Sequence, residues 1–236
     1  MPARGQGATL LAPARARAYV ACMPAQQFSH VRGWVFDLDN TLYPPAMRLF
    51  DQVDVRITGF VMRATGLARG DADVLRKRYW REYGTTLAGL MAVHGVDPEG
   101  YLAEVHDIDF TVLRPDTELR ARIAGLPGRR IVHTNGWAPY AERVLEARGL
   151  SGLFDGIYGV EHAGYVPKPD PQAHRAVLDI GRIDPATAAM FEDDPRNLTA
   201  PHALGMRTVH VAPAPAPADH IHHHTDDLGG FLGRLV

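Results

Sequence analysis

The chain predicts an α/β fold, a parallel doubly wound sheet with helices on both faces and a separate helical module inserted near its start. Three observations carry this. Five short apolar runs of the kind that fit strands buried on both faces recur along the chain. Helices with readable ends separate them. One connection, from residue 37 to residue 129, is far too long for a single crossover helix.

The elements follow in order. Trp34, Val35 and Phe36 form the first run, which ends at Asp37; Arg130 to His133 rise to Thr134; Gly156 to Val160 form the third. Thr187 to Phe191 end at Glu192, and Arg207 to Val211 make the fifth. Pro139 at a first-turn position and Gly149 past the last turn bracket a helix through Tyr140, Val144 and Leu145. Asp170 and Pro171 open another, on which Ala173, Ala176, Val177 and Ile180 recur at helical spacing before Gly181 stops it. Such alternation implies right-handed crossovers. In the insert, Leu49, Val53, Ile57, Phe60, Val61 and Ala64 trace one face of a long helix closed by Gly66. Leu87, Leu90, Met91 and His94 trace another closed by Gly95, with His94 read as a packed histidine and Tyr79 and Trp80 as core of the insert. Pro44 and Pro45 on one side, and Arg114 and Pro115 on the other, are the expected hinges, with His106 beside the second. The core is thus placed at residues 31–44 and 115–236 and the helical module at 45–114.

Composition bounds the function. The 236 residues are 46% hydrophobic and 22% charged, enough to bury a core, and 25 basic against 27 acidic residues leave no bulk field to attract nucleic acid or a membrane surface. Cys22 stands alone, so no internal disulfide forms, and no apolar run approaches the roughly 20 residues of a span. The expectation is a soluble, cytoplasmic monomer or homodimer. Residues 1–30 carry Arg4, Arg15 and Arg17 and no acid, and are read as a disordered leader, with Met23 as the expected physiological start.

The most informative segment is Asp37, Leu38, Asp39, Asn40, Thr41 at the end of the first run. Two carboxylates and a hydroxyl this close converge on one site, and in α/β sheets ligands bind at the carboxyl ends of strands. Thr134, Asn135 and Gly136 follow the second run, Lys168 stands between Pro167 and Pro169 before a helix, and Glu192, Asp193 and Asp194 end the fourth.

In this order the four motifs resemble those of the haloacid dehalogenase superfamily of phosphohydrolases: an Asp-x-Asp, a Thr or Ser, a Lys, and an acidic pair. The resemblance implies a Rossmann-like core with an inserted all-helical C1 cap, and a Mg²⁺-dependent phosphomonoester hydrolase. It makes Asp37 the nucleophile that becomes an aspartyl phosphate and Asp39 the acid and then base. Lys168 offsets charge, and Thr134 with the amides of Asn135 and Gly136 holds a phosphoryl oxygen. Asp37, the Asp39 backbone carbonyl and Asp193 would ligate Mg²⁺, with Glu192 and Asp194 as supporting acids and the inner ligand among the three left open. Asp39 also separates reactions, because carbon–halogen hydrolysis in this superfamily lacks an acid at that position and needs no leaving-group protonation.

The segment from Tyr79 to Leu90, with Asp37 to Tyr43 and Phe191 to Leu198, is similar to the pyrimidine 5′-nucleotidase branch. This implies a nucleoside monophosphate as substrate, with Thr41, Tyr43, Arg48, Tyr83 and Thr85 as expected contacts. A broader phosphatase for sugar phosphates or phosphoglycolate is the second reading, and a non-catalytic phospholigand-binding module the third. His220, His222, His223 and His224 are read as a loop leading into a terminal helix capped by Thr225 or Asp226 and Asp227.

Overall fold

The computed structural model describes residues 24–235. Six strands form one sheet: β1 (Gly33–Phe36), β2 (Arg129–His133), β3 (Gly156–Tyr158), β4 (Ala188–Glu192), β5 (Arg207–Val211) and β6 (His223–Thr225), in the order β3-β2-β1-β4-β5-β6. Every pairing is parallel. The helices are α1 (Pro24–Phe28), α2 (Leu49–Thr65), α3 (Arg69–Tyr83), α4 (Thr86–His94), α5 (Pro98–Val105), α6 (Thr117–Ala124), α7 (Ala138–Ala147), α8 (Pro171–Gly181), α9 (Thr199–Ala203) and α10 (Leu228–Gly233).

The central strands are apolar throughout because both faces are covered. Trp34, Phe36, Val132 and Phe191 face one layer, filled by side chains of α6, α7 and α10. Val35, Ile131 and Met190 face the other, under Val177 and Leu178 of α8. Strand order reverses between β1 and β4, so the crevice that binds ligands in such sheets opens at the carboxyl ends of these two strands. Asp37 leaves β1 there with its amide still bonded to the Phe191 carbonyl at 2.9 Å.

The cap consists of α2 to α5 around its own core of Val61, Ala72, Tyr79, Leu87, Leu90, Tyr101 and Leu102. Gly66 closes α2 in the left-handed region, and Thr85 caps α4 by accepting from the Ala88 amide. Gly89 is where α3 and α4 touch: a Cβ there would stand 2.4 Å from Cγ of Tyr79, so only glycine lets the ring lie flat on α4. Among the described residues no helix is long and apolar enough to cross a membrane.

Several expectations are corrected. Residues 24–28 are helical, and Phe28 is buried against Trp34 and Phe231, so the core begins before residue 31. Residues 1–23 of the expected leader, with the Met23 start, lie outside the described residues. On α8 the buried face is Ala173, His174, Val177 and Leu178, while Ile180 is exposed. That helix runs through Gly181 because the missing Cβ, which would stand 3.1 Å from Ile131, lets its last turn approach the sheet. Trp80 is 46% exposed and His94 lies at the surface, its Nε2 2.9 Å from the Tyr79 hydroxyl. Tyr79 takes the packed position on α3, and Trp80, one residue round the helix, turns outward.

The histidine-rich segment is not all loop. His223 to Thr225 form the edge strand β6, too short and polar to show a period-two pattern. The histidines are tied individually: His220 Nε2, ahead of the strand, donates to the Pro195 carbonyl, and His224 Nε2, within it, to that of Ala212. Asp227, not Thr225 or Asp226, caps α10.

Candidate active site

Three strand ends and one loop build the site. Lys168, 1% exposed, extends its Nζ to Asp37 Oδ1 at 2.7 Å, to Glu192 Oε2 at 2.6 Å and to the His133 carbonyl at 2.9 Å. These three acceptors come from the ends of β1, β4 and β2, so one ammonium fastens the three strands at the crevice. Asn135 holds the lysine loop by its backbone, donating to the Lys168 carbonyl at 3.0 Å and accepting from the Lys168 amide at 2.8 Å. Its side chain is thereby committed to the loop. Thr134 is buried, and its Oγ1 accepts from the Gly136 amide at 2.9 Å.

The acids divide by what already binds them. Asp37, Glu192 and Asp193 each bring a carboxylate oxygen within 4.8 Å of the others. Glu192 has both oxygens engaged, Oε2 by Lys168 and Oε1 by the Asp194 amide and the Asn197 side chain at 3.2 Å each. Asp194 is turned away, capping the following 3₁₀ turn and pairing with Arg196 at 2.7 Å. Asp193 accepts from Asn40 through Oδ2 at 3.1 Å, and its backbone carbonyl is held by His210 Nε2 at 3.0 Å.

Charge at this point is unbalanced. Burial first, and then the Glu192 charge, push Asp37 up to about 8 against the pull of Lys168. Burial likewise pushes Glu192 and Asp193 up to about 7. One lysine does not offset three crowded carboxylates, and the uncommitted donors are hard oxygens. The residues present therefore fit a small hard dication such as Mg²⁺.

Asp39 stands beside this cluster. Its Oδ1 accepts from the hydroxyls of Tyr43 and Tyr140, each at 2.6 Å. Burial raises its pKa and the two hydroxyls oppose the rise. Both tyrosines, buried beside a carboxylate, are pushed well above the usual phenol range and remain donors.

Tyr140 is covered by His106 of the cap, ring centroids 4.2 Å apart and planes 17° from parallel. His106 Nδ1 donates to the Leu102 carbonyl at 2.9 Å, and burial lowers its pKa to about 4. The folded protein therefore binds this proton less readily than the unfolded chain, whose histidine titrates near 6.5. The neutral ring's contribution is complete above that pH and is lost as pH falls toward 4. The stability advantage of wild type over His106→Gln should narrow by roughly 2–3 kcal/mol between pH 7.5 and pH 4, read from urea midpoints. A constant gap would mean that His106 titrates normally.

Above the acids lies a chamber of about 580 Å³ between core and cap. Phe50, Val53, Ile57, Tyr101, Leu102 and Val105 give it apolar lining, and Trp80, Thr85 and Arg196 line it too. The Arg196 guanidinium lies 3.6 Å over the Trp80 ring, a core-to-cap contact. Gly84, at φ 87°, presses on the lysine loop, where a Cβ would stand 3.1 Å from the Lys168 carbonyl.

Asp37, Asp39, Thr134, Asn135, Gly136, Lys168, Glu192, Asp193 and Asp194 are thus brought to one chamber, while the expected substrate contacts divide. Thr85 lines it. Arg48 does not: its side chain is 80% exposed and pairs with Asp51. Tyr83 stands outside, edge-on to Tyr79. Thr41 and Tyr43 are buried beneath the site, because the chain turns left-handed at Asn40, φ 58°, and strand alternation ends there. Sequence reasoning missed Asn40, Trp80, His106, Tyr140, Arg196 and His210 as site residues. Only Asn40 carried a local signal, since Asn tolerates the left-handed turn after Asp39.

Comparison with known proteins places the chain in a family. The model of the haloacid dehalogenase-like hydrolases matches residues 31–205. Phosphate metabolism protein 8 of Saccharomyces cerevisiae is 26% identical over 187 residues, 72% of this chain and 58% of that protein, so the chain spans little more than half of this relative. Phosphoglycolate phosphatase of Pectobacterium atrosepticum is 28% identical over 192 residues, 78% of this chain and 81% of its own. In fold, the magnesium-bound HAD hydrolase YfnB from Bacillus subtilis superposes with a TM-score of 0.55 at 14% identity, covering 87% of this chain and 98% of that one. The match across most of the chain, on a sheet that gathers the four motifs at three strand ends and one loop, makes this chain a member of the haloacid dehalogenase-like hydrolases.

Proposed function

We propose that the protein is a Mg²⁺-dependent phosphomonoester hydrolase working through an aspartyl phosphate, with pyrimidine nucleoside 5′-monophosphates as substrates. The chemistry rests on the pairing of Asp37 with Asp39. A phosphomonoester is a dianion, so a carboxylate nucleophile needs fixed donors and cations around it. Lys168 holds Asp37 Oδ1 and lends its charge, Thr134 and the Asn135 amide that follows it offer donors to a phosphoryl oxygen, and Asp39 stands ready to protonate the leaving oxygen. Asp37, the Asp39 carbonyl and Asp193 would hold Mg²⁺, which when bound supplies the remaining positive charge on the phosphoryl oxygens.

The observation that favours a nucleoside leaving group is the state of charge on the chamber wall. Arg76 pairs with Asp54 and Asp73, Lys77 with Asp73, Arg196 with Asp194, and Lys168 with Asp37 and Glu192. Among the described residues lining the chamber, each lysine and arginine already has an acid. An anionic leaving group such as glycolate finds no cation to receive its carboxylate, whereas a neutral, ring-bearing group is suited to Tyr101, Trp80 and the apolar lining. Similarity to the phosphoglycolate phosphatase of Pectobacterium atrosepticum supports phosphatase chemistry and favours the other substrate class.

Steady-state hydrolysis of UMP, CMP, dTMP, AMP, phosphoglycolate and sugar phosphates decides between them, with Asp37→Asn as the inactive control. The highest kcat/KM is expected on UMP and CMP, with activity lost on chelation and restored by Mg²⁺. Preference for phosphoglycolate or a sugar phosphate would end the nucleotidase reading. Full activity after chelation would end the metal assignment, and hydrolysis of none of the esters would leave a binding module.

A further inference from the structure

We infer that Tyr43 and Tyr140 are positioning residues that decide which oxygen of Asp39 carries the catalytic proton. The inference rests on the phosphatase reading. Both hydroxyls donate to Oδ1, at 2.6 Å each, and among the described residues no protein group donates to Oδ2. A carboxylate oxygen has two in-plane lone pairs, and two donors occupy both. A proton taken up by Asp39 therefore resides on Oδ2, the oxygen left to the chamber that Asp39 lines. The carboxyl is also fixed in rotation, since its anchors come from two rigid places: Tyr43, 1% exposed, before the first hinge, and Tyr140, 1% exposed, in the first turn of α7 under the His106 ring.

The step this controls balances as follows. A carboxylate oxygen of Asp37 forms a bond to phosphorus while the bond from phosphorus to the leaving oxygen breaks. The electron pair goes to that oxygen, which takes the Oδ2 proton of Asp39. Water then attacks the phosphoryl group and gives its proton back to Oδ2, and the bond from phosphorus to Asp37 breaks, returning the carboxylate and inorganic phosphate. A proton placed on Oδ1 would serve neither half. The hydroxyls keep Asp39 in one protonation geometry through both.

Three aryl and alkyl esters of similar size test this: p-nitrophenyl, phenyl and benzyl phosphate, whose leaving oxygens run from weakly to strongly basic. Because kcat/KM covers steps only through formation of the phosphoenzyme, it isolates leaving-group protonation from attack by water. Tyr43→Phe and Tyr140→Phe keep the rings and remove one donor each. Each variant should lower kcat/KM about 10-fold or more on benzyl phosphate, inside the 10²–10⁴ range of general acid catalysis, and less than about threefold on p-nitrophenyl phosphate. Circular dichroism checks folding, and should one variant not fold, the other reads the same oxygen. Equal losses across the three esters, or none, would overturn the inference and reduce the tyrosines to packing. If wild type hydrolyses none of the three, the phosphatase reading itself fails and the inference falls with it.

Discussion

Asp37→Asn and Lys168→Met should each lower hydrolysis by at least about 10³-fold, and yet move stability in opposite directions. Asp37 is the buried acid under greatest electrostatic pressure, pushed up to about 8 by burial and Glu192. An amide of the same shape removes one negative charge from a cluster that holds too many, and leaves Lys168 its bonds to Glu192 and the His133 carbonyl. Asp37→Asn should therefore match or exceed wild type in urea, as expected where a site is held strained for chemistry. Lys168→Met does the reverse. It strips the one cation from Asp37 and Glu192, whose side chains are 7% and 1% exposed, and frees the joint between β1, β2 and β4. Breaking such a buried pair from one side costs about 3–5 kcal/mol. Adding Glu192→Gln to Lys168→Met should recover most of that loss and none of the activity, since the stability penalty is uncompensated charge and the activity loss is not. If Lys168→Met unfolds no earlier than wild type, the lysine does not bind the strand ends together as described.

Asp37 and Glu192 were legible in the sequence because each lies at the end of an apolar run, where chain direction alone puts it in the crevice, and Lys168, in a loop between two prolines, was legible through its place in the order of motifs. The same holds for the cap's existence, which followed from one over-long connection, and for its helix ends at Gly66 and Gly95. What did not show was how the cap faces the core. Tyr140 meets Asp39 across 101 positions, and its hydroxyl sits on a helix face that reads as apolar. Trp80 meets Arg196, and His106 meets Tyr140, only after two separate domains have docked. Arg48 and Tyr83 illustrate the converse. They are near the motifs in sequence, but a left-handed residue at Arg48 and a turn at Gly84 carry them away from the chamber. Periodicity reports which way a side chain leaves its own element, and the substrate face of this protein is made between elements.

Arg148→Met should be the most destabilising single change outside the acid cluster, at about 3–5 kcal/mol. This arginine, 3% exposed, ends α7 and sits where both crossings between core and cap pass. Its Nε donates to the Leu42 carbonyl at 3.2 Å on the first crossing, and its terminal nitrogens donate to the Arg114 carbonyl on the second and to Asp116 at 2.7 Å. Asp116 returns a backbone bond to the Arg148 carbonyl at 3.0 Å and caps α6. Methionine fills the space but donates nothing. The buried Leu42 carbonyl and the part-buried Arg114 carbonyl then lose a donor, the first costing about 1–3 kcal/mol, and Asp116 keeps its charge without the guanidinium. Because the three acceptors lie in three directions, Arg148→Lys should recover little: an ammonium lacks the flat fork that reaches them together. Asp116→Asn should be milder, since Asn still accepts from the Leu119 amide at the cap position. Urea unfolding measures the first effect, and limited proteolysis measures the second, faster cleavage in residues 107–116 as the crossing loosens. A stable Arg148→Met protein with unchanged cleavage would show that the prolines at the two crossings, and not the arginine, hold the cap in register with the site.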